Sequence, residues 1–341
     1  MKNAIAYFLY YTGILFIIKK YKLKNKSIVI TYHRIMPEEI SDTSFSTDGI
    51  IVRPDTFNKH MSFVKKHFNI LTISNFCQHM HQDDFPNKPS CLVTFDDGWI
   101  DNYIYAFPLL KKHSIPAIIF LPINYIDHTK SDKTEFKVFW QEDLGRKLSH
   151  LINLNSVNSN SFLKKYNLNN LFTLDIKLRK QVILSFVNKI KQRPYTEINA
   201  LLNQINEITG NIIDQDHIDK YFNWDNAKEM AQASISFGSH ACSHRILTRM
   251  KKPEIETELL TSAHKIKEHI SNIPLTIAYP NGNSNSTVQL ISKDSGYSIG
   301  FGTNPGFTTS ADNPYDIKRI NIHEGKSSNI PLFMMALLGL Y

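Results

Sequence analysis

Short apolar runs alternate with helically spaced apolar positions from Ser27 to Ile322, and this alternation constrains the fold more than any other feature. Ser27 to Tyr32 reads Ser-Ile-Val-Ile-Thr-Tyr, an uninterrupted strand. Asn69 to Thr72, Cys91 to Val93, Ala117 to Leu121, Leu275 to Tyr279, Ser298 to Thr303 and Asp316 to Ile322 have the same character, and Ile235 to Gly238 reads as a strand end. Between them, Phe57, Met61, Val64 and Phe68 recur at helical spacing behind Asp55, the expected cap. Pro253 opens a helix with Ile255, Leu259, Ala263, Ile266 and Ile270 on its inner face. Strand and helix in turn imply the α/β class. A length of 341 residues allows one large domain or two smaller ones.

From Leu144 to about Asp216 the composition shifts to Asn, Lys, Leu and Ile with few strand signals. This stretch reads as a helical insertion, either shaping access to a site or covering a sheet edge. The chain carries a net charge of +8, but its lysines are scattered, without the arginine and aromatic interleaving of a nucleic-acid groove. A nucleic-acid partner is therefore not expected; a basic surface suits an anionic membrane or glycan. Cys77, Cys91 and Cys242 cannot all pair, and they read as reduced packing residues.

Residues 1–26 form a separate apolar element with a basic flank. Ala4 to Ile18 is apolar except at Thr12 and Gly13, and Lys19, Lys20, Lys22, Lys24 and Lys26 follow. Fifteen residues are short for a spanning helix, and the lysines lie on the wrong side for a cleaved signal. Had the run spanned, the lysine excess would hold the next domain in the cytoplasm. The expectation is an interfacial helix through residues 4–18, or one lying on the domain against the apolar run Leu332 to Leu340. This favours membrane association on the cytoplasmic face.

Two segments carry chemistry. Thr94-Phe95-Asp96-Asp97-Gly98 puts two carboxylates at the carboxyl end of a buried strand, where α/β barrels keep their active sites. Adjacent carboxylates repel, so both stay ionised only beside a cation or a strong donor. The same residues would also serve a solvated Asp-Gly turn. Much later, Gly238-Ser239-His240-Ala241-Cys242-Ser243-His244 spaces two histidines four apart, on one face of a helical turn. Neutral imidazoles at that spacing suit a divalent ion such as zinc, although a surface helix can carry the same pair.

Together these segments resemble the NodB-homology polysaccharide deacetylases, carbohydrate esterase family 4. Tyr32-His33-Arg34, Thr94 to Gly98, Ile115-Pro116-Ala117 with Phe120-Leu121-Pro122, the His240/His244 pair and Ala278-Tyr279-Pro280-Asn281-Gly282 follow the family's order. The last is similar to the exopolysaccharide-type branch. The resemblance implies a distorted, incomplete (β/α) barrel of seven strands over 27–341, and a metal-dependent hydrolase releasing acetate from N-acetylated sugars of a glycan or lipid-linked saccharide. An O-acetyl esterase, another amidase on the same scaffold and an inactive glycan-binding homologue are the alternatives.

The resemblance also distributes roles. Asp97, His240 and His244 would hold one divalent ion, zinc by donor type, and Asp96 would be the base. Asn281 would offer its N–H to the oxyanion, and His33, Trp140 and Tyr279 would contact the sugar; His33 and Trp140 also fit plain structural roles. Two departures stand out. Ala241 replaces the usual hydroxyl after the first metal histidine, a loss expected to weaken the loop slightly. The usual Arg-Pro-Pro-Tyr-Gly arginine is missing from the segment around Pro280, so Arg319 is expected to supply a guanidinium to Asp96. His323, ending an alternating run, is expected to be the general acid, with a surface histidine as its other reading.

Overall fold

The computed structural model describes residues 2–82, 88–126, 138–154, 156–210, 219–270 and 274–340. The expected end of the insertion near 216 lies outside them. The chain forms two compact units, Met1–Pro37 with Asp48–Thr129 and Tyr221–Tyr341, and Glu38–Thr47 with Lys130–Lys220.

Among the described residues the first unit contains ten strands: β1 (Ser27–Tyr32), β2 (Arg34–Ile35), β3 (Ile51–Val52), β4 (Asn69–Ile70), β5 (Ser90–Asp96), β6 (Ala117–Leu121), β7 (Ile235–Ser239), β8 (Thr276–Ala278), β9 (Ile299–Phe301) and β10 (Ile320–Asn321). Seven of them form one path, β10-β1-β5-β6-β7-β8-β9; β4 pairs beside the start of β5, and β2 pairs β3 separately. Every named pairing is parallel. β1, β5 and β6 are buried along their whole length, which explains why their apolar runs lack the polar alternation of a one-sided sheet. A parallel bridge between Phe301 and Ile317 brings the approach to β10 against β9. The backbone bonds Ile317 N to Gly300 O (2.9 Å) and Gly302 N to Ile317 O (3.0 Å) flank it. The result is the distorted, incomplete (β/α) barrel, its ends meeting over a few residues.

Val29, Leu92, Ile118, Phe120, Ile299 and Phe301 make up much of the barrel core. The helix Pro54–His67 packs Phe57, Met61 and Val64 inward, but Arg53 is its N-cap and Asp55 only lies in the first turn. Pro54 at the first position already dispenses with one donor there, so a side-chain cap is less needed.

His60 on this helix is a structural joint. Its ring stacks on Phe333 at 3.8 Å. Nε2 donates to the carbonyl of Ser327 at 2.7 Å, which leaves Nδ1 to accept from the Tyr32 hydroxyl at 3.1 Å. Burial pushes its pKa down to about 3, against a smaller opposing pull from the Ser327 carbonyl. The folded protein therefore keeps His60 neutral where the unfolded chain takes a proton, below its ordinary value near 6.5. Stability falls as pH falls through that window, by about 2 kcal/mol between pH 7 and 5 from this group. His60→Gln, less stable at pH 7, should lose that slope in urea melts at the two pH values. An unchanged slope would refute the assignment.

The N-terminal run is two helices, Lys2–Tyr11 and Ile14–Lys22, separated by Gly13 at φ 78°. Among the described residues no helix is long and apolar enough to cross a membrane. The first helix packs on Ile330–Leu337, and Lys22 Nζ donates to the Leu338 carbonyl at 2.7 Å.

The second unit is helical. Leu144, Leu148 and Leu151 of helix Trp140–Leu154 pack with Phe162, Leu163, Ile183, Val187, Ile198, Leu201 and Ile205 from the three long helices that follow. It also takes in Glu38–Thr47, which no periodicity signalled. Ser44 donates to Asp219 at 2.8 Å and Ser46 to Glu142 at 3.1 Å, and Phe45 occupies the space a side chain at Gly145 would need.

Candidate active site

The carboxyl end of β5 delivers the two acids in different backbone states. Asp96 ends the strand, while Asp97 turns out at φ 77° and Gly98 continues at φ 66°. Left-handed backbone costs a non-glycine residue roughly 1–2 kcal/mol. Asp97, Ala241, His244 and Asn281, all on loops at strand carboxyl ends, adopt it. The strain gathers where side chains must converge.

That turn separates the two carboxylates. Asp96 faces Arg319, whose NH1 and NH2 donate to Oδ1 at 2.7 Å and Oδ2 at 2.8 Å. The guanidinium is itself fixed by Nε donating to the Gly302 carbonyl at 2.7 Å, and both side chains are buried. Burial would raise the Asp96 carboxyl, but Arg319, with His240 and His33, holds it below the usual range. Asp96 is therefore a fixed carboxylate.

Asp97 faces the histidines. Its Oδ1 lies 3.4 Å from His240 Nε2 and 3.3 Å from His244 Nε2. Oδ1 is buried without a hydrogen-bond partner, while Oδ2 accepts from the Trp99 indole at 3.0 Å. Trp99 is in turn covered by the Arg34 guanidinium at 4.0 Å, which donates to Asp101. Burial works against ionisation of Asp97, yet the imidazoles of His240, His244 and His33 hold it well below the carboxylate range.

His240 Nδ1 donates to the Ala278 carbonyl at 2.7 Å, so its Nε2 lone pair points toward Asp97. An acceptor behind a metal-binding imidazole is the usual way its tautomer is set. One ligand atom from each of Asp97, His240 and His244 lies within 4.8 Å of the others. A tetrahedral ion bonded at about 2.0–2.1 Å to such donors separates them by about 3.3 Å, so the two contacts of Asp97 have the right length. The orphaned Oδ1, the set tautomer and the spacing all fit a divalent cation.

The pair does not stand on a helical turn as its spacing suggested. Residues 240–244 are a loop beyond β7, with Ala241 and His244 at φ 59° and 57°. Two left-handed residues fold the chain back, and the imidazoles converge with ring centroids 5.0 Å apart. Glu258, on the helix Lys252–His269, clamps the loop by accepting from the N–H groups of Cys242 and Ser243 at 2.8 and 2.9 Å. The hydroxyl missing at Ala241 has a local counterpart in Ser239, whose Oγ accepts from Ala241 N at 3.0 Å. Gly238 is required beneath the loop, because a Cβ there would meet Phe120 and the Thr276 carbonyl.

The remaining candidates separate. His33 Nε2 lies 3.8 Å from Asp96 Oδ2, and its Nδ1 is buried without a partner. Burial lowers the His33 pKa, the two carboxylates oppose this, and Arg319 and His240 add to the lowering. His323, expected as the acid, instead sits at the N-cap position of the short helix Glu324–Ser327 without a side-chain cap bond, its pKa lowered by burial and Lys326 against the pull of Asp48; it makes no hydrogen bond or ion pair with Asp96 among the described residues. The imidazole beside Asp96 is that of His33. Tyr279, expected at the sugar, is wholly buried, with its hydroxyl closing over Gly300. Trp140 belongs to the helical unit and packs against that unit's core, while Glu142 and Asp143 bond to Ser46 and Lys147. Asn281 occupies the exposed turn beyond β8 at φ 59°.

Trp99, Glu258 and the site role of Arg34 escaped the sequence reading. Glu258 sits beside the inward stripe of Ile255 and Leu259, and an acid flanking such a stripe is the one signal it offered.

The family model for polysaccharide deacetylases matches residues 177–300, which include both histidines. The Bacillus subtilis protein YxkH is 21% identical over 302 residues, 88% of this chain and 73% of its own length. The poly-beta-1,6-N-acetyl-D-glucosamine N-deacetylase of Staphylococcus epidermidis is 35% identical over 116 residues, 31% of this chain and 39% of that protein. Among solved structures, the Streptococcus pyogenes deacetylase PplD superposes with a TM-score of 0.58 at 20% identity, covering 92% of this chain and 99% of that one. IcaB from Ammonifex degensii gives 0.57 at 15% identity, covering 93% and 98%. These two likenesses concern the fold.

Proposed function

We propose that the chain is a polysaccharide deacetylase that hydrolyses the N-acetyl groups of a β-linked N-acetylglucosamine polymer, releasing acetate and leaving free amines. The observation that carries this reading is the division of the adjacent acids, Asp97 toward two imidazole nitrogens and Asp96 toward Arg319 and His33. Asp97, His240 and His244 would hold the ion, and their mixed nitrogen and oxygen set suits zinc. A bound divalent ion supplies a Lewis acid for the amide carbonyl and lowers the pKa of water at the site.

The chain's own groups do the rest. Asp96, kept ionised and aimed by Arg319, accepts a proton from the attacking water as its oxygen bonds to the carbonyl carbon. The backbone N–H of Asn281 is the proposed donor to the oxyanion. His33, 3.8 Å from Asp96, takes over the proton that Asp96 accepted and passes it to the nitrogen as the carbon–nitrogen bond breaks, giving acetate and the amine. The polymer is taken from the printed activity of the Staphylococcus relative, of which this chain spans well under half.

Elemental analysis of the wild type and His240→Ala, with acetate release from β-1,6-linked N-acetylglucosamine oligomers followed alongside, tests the reading. About one divalent ion per chain is expected, lost together with acetate release in the variant. Full acetate release without any ion would sink it; an ion with release only from O-acetyl sugars would replace amidase by esterase.

A further inference from the structure

The two N-terminal helices hold one face against the barrel and leave the other bare. Ala6, Leu15 and Leu23 are fully buried, whereas Phe8 is 64% exposed, Tyr11 76%, Ile17 58% and Tyr21 74%. Ile5 and Tyr7 extend the same surface. An outward face of a surface helix is ordinarily polar; this one is aromatic and aliphatic. Residues 1–26 contain six lysines and neither Asp nor Glu. Lys19 and Lys22 are tied to the carbonyls of His67 and Leu338, while Lys20 and Lys24 are exposed beside the apolar face.

We propose that this face docks on an anionic bilayer, lying in the headgroup region. Tyrosine and phenylalanine suit that boundary, and lysines next to them add attraction to anionic lipid. A second copy of the chain fits less well. Symmetric pairing would bring Lys20 and Lys24 toward their equivalents, and no acid in residues 1–26 is there to answer them.

The docking face also sets an orientation. The second helix leads directly into the start of β1, and Lys19 reaches the carbonyl of His67, just before β4. Both contacts lie at the amino ends of the strands. Asp96, Asp97 and His240 lie at or just beyond the carboxyl ends. The seven residues of β5 rise about 23 Å at about 3.3 Å each. The bilayer therefore meets the end of the barrel opposite the site. Resting on the proposed deacetylation, this favours a polymer extending into solvent over a sugar at the headgroups of the same membrane.

Flotation of the full chain with vesicles tests the docking without reference to activity. Vesicles of equal parts phosphatidylglycerol and phosphatidylcholine should carry the wild type, with binding about tenfold or more weaker on phosphatidylcholine alone. The triple variant F8S/Y11S/I17S should lose binding by a similar factor while keeping its melting temperature, and Lys20→Glu with Lys24→Glu should erase the lipid preference. No wild-type binding, or equal binding by the triple variant, overturns the proposal. So does a dimer in sedimentation that the triple variant converts to monomer without any vesicle binding. For orientation, a fluorophore on Tyr21→Cys should be quenched by brominated lipid and one on Asn283→Cys should not; quenching at 283 overturns the orientation.

Discussion

Asp96→Asn is expected to lower kcat for acetate release by about 10³-fold while leaving about one divalent ion per chain. The substitution preserves shape but removes the carboxylate that accepts the water's proton. Both oxygens of Asp96 accept from Arg319. The three donor atoms of Asp97, His240 and His244 would stay in place. Asp97→Asn is the contrasting variant. It halves the carboxylate's capacity and places an amide where Oδ1 faces two imidazoles, so the ion and the activity should leave together. Elemental analysis and initial rates on both variants settle the pair. Loss of the ion from Asp96→Asn with retention in Asp97→Asn would exchange the two roles.

Arg319→Met should be the most destabilising single change at the site, by about 3–5 kcal/mol. It removes both charge-assisted bonds from a buried carboxylate and leaves the Gly302 carbonyl without its donor. Breaking one half of a buried pair costs more than the pair itself contributes, because the stranded charge keeps its desolvation penalty. Arg319→Lys keeps the charge but cannot present two parallel donors, so intermediate stability and reduced kcat are expected. Urea melts with acetate kinetics provide the check. Wild-type stability and rate in Arg319→Lys would show that the fork has no part in aiming Asp96.

The barrel was legible because parallel strands buried on both faces must be apolar throughout. Runs such as Ser-Ile-Val-Ile-Thr-Tyr at β1 have few other uses. Strand lengths were less legible. Leu275 to Tyr279 narrows to Thr276–Ala278, and the flanking Leu275 carbonyl and Tyr279 N–H still bond to Ser298 and Phe301 beside it. The two acids and the two histidines were visible as motifs, but the histidine spacing suggested the wrong local structure. A spacing of four says which residues meet on a helix, and nothing about a loop with left-handed turns at Ala241 and His244. Tyr279 sits within a family-like motif and is nonetheless wholly buried, one residue past β8 with its hydroxyl against Gly300.

The α/β class, the carboxyl-end placement of Asp96 and Asp97, and the basic, acid-free character of residues 1–26 were all readable along the chain. These follow from local pattern and composition. Folding alone reveals that Arg319 grips Asp96 across 223 positions of chain, that His33 rather than His323 stands beside it, and that Glu258 clamps the histidine loop. Such contacts join residues whose separation along the chain carries no information about their distance in space. They exist because the sheet curves until the approach to β10 meets β9, and that closure is a property of the whole barrel.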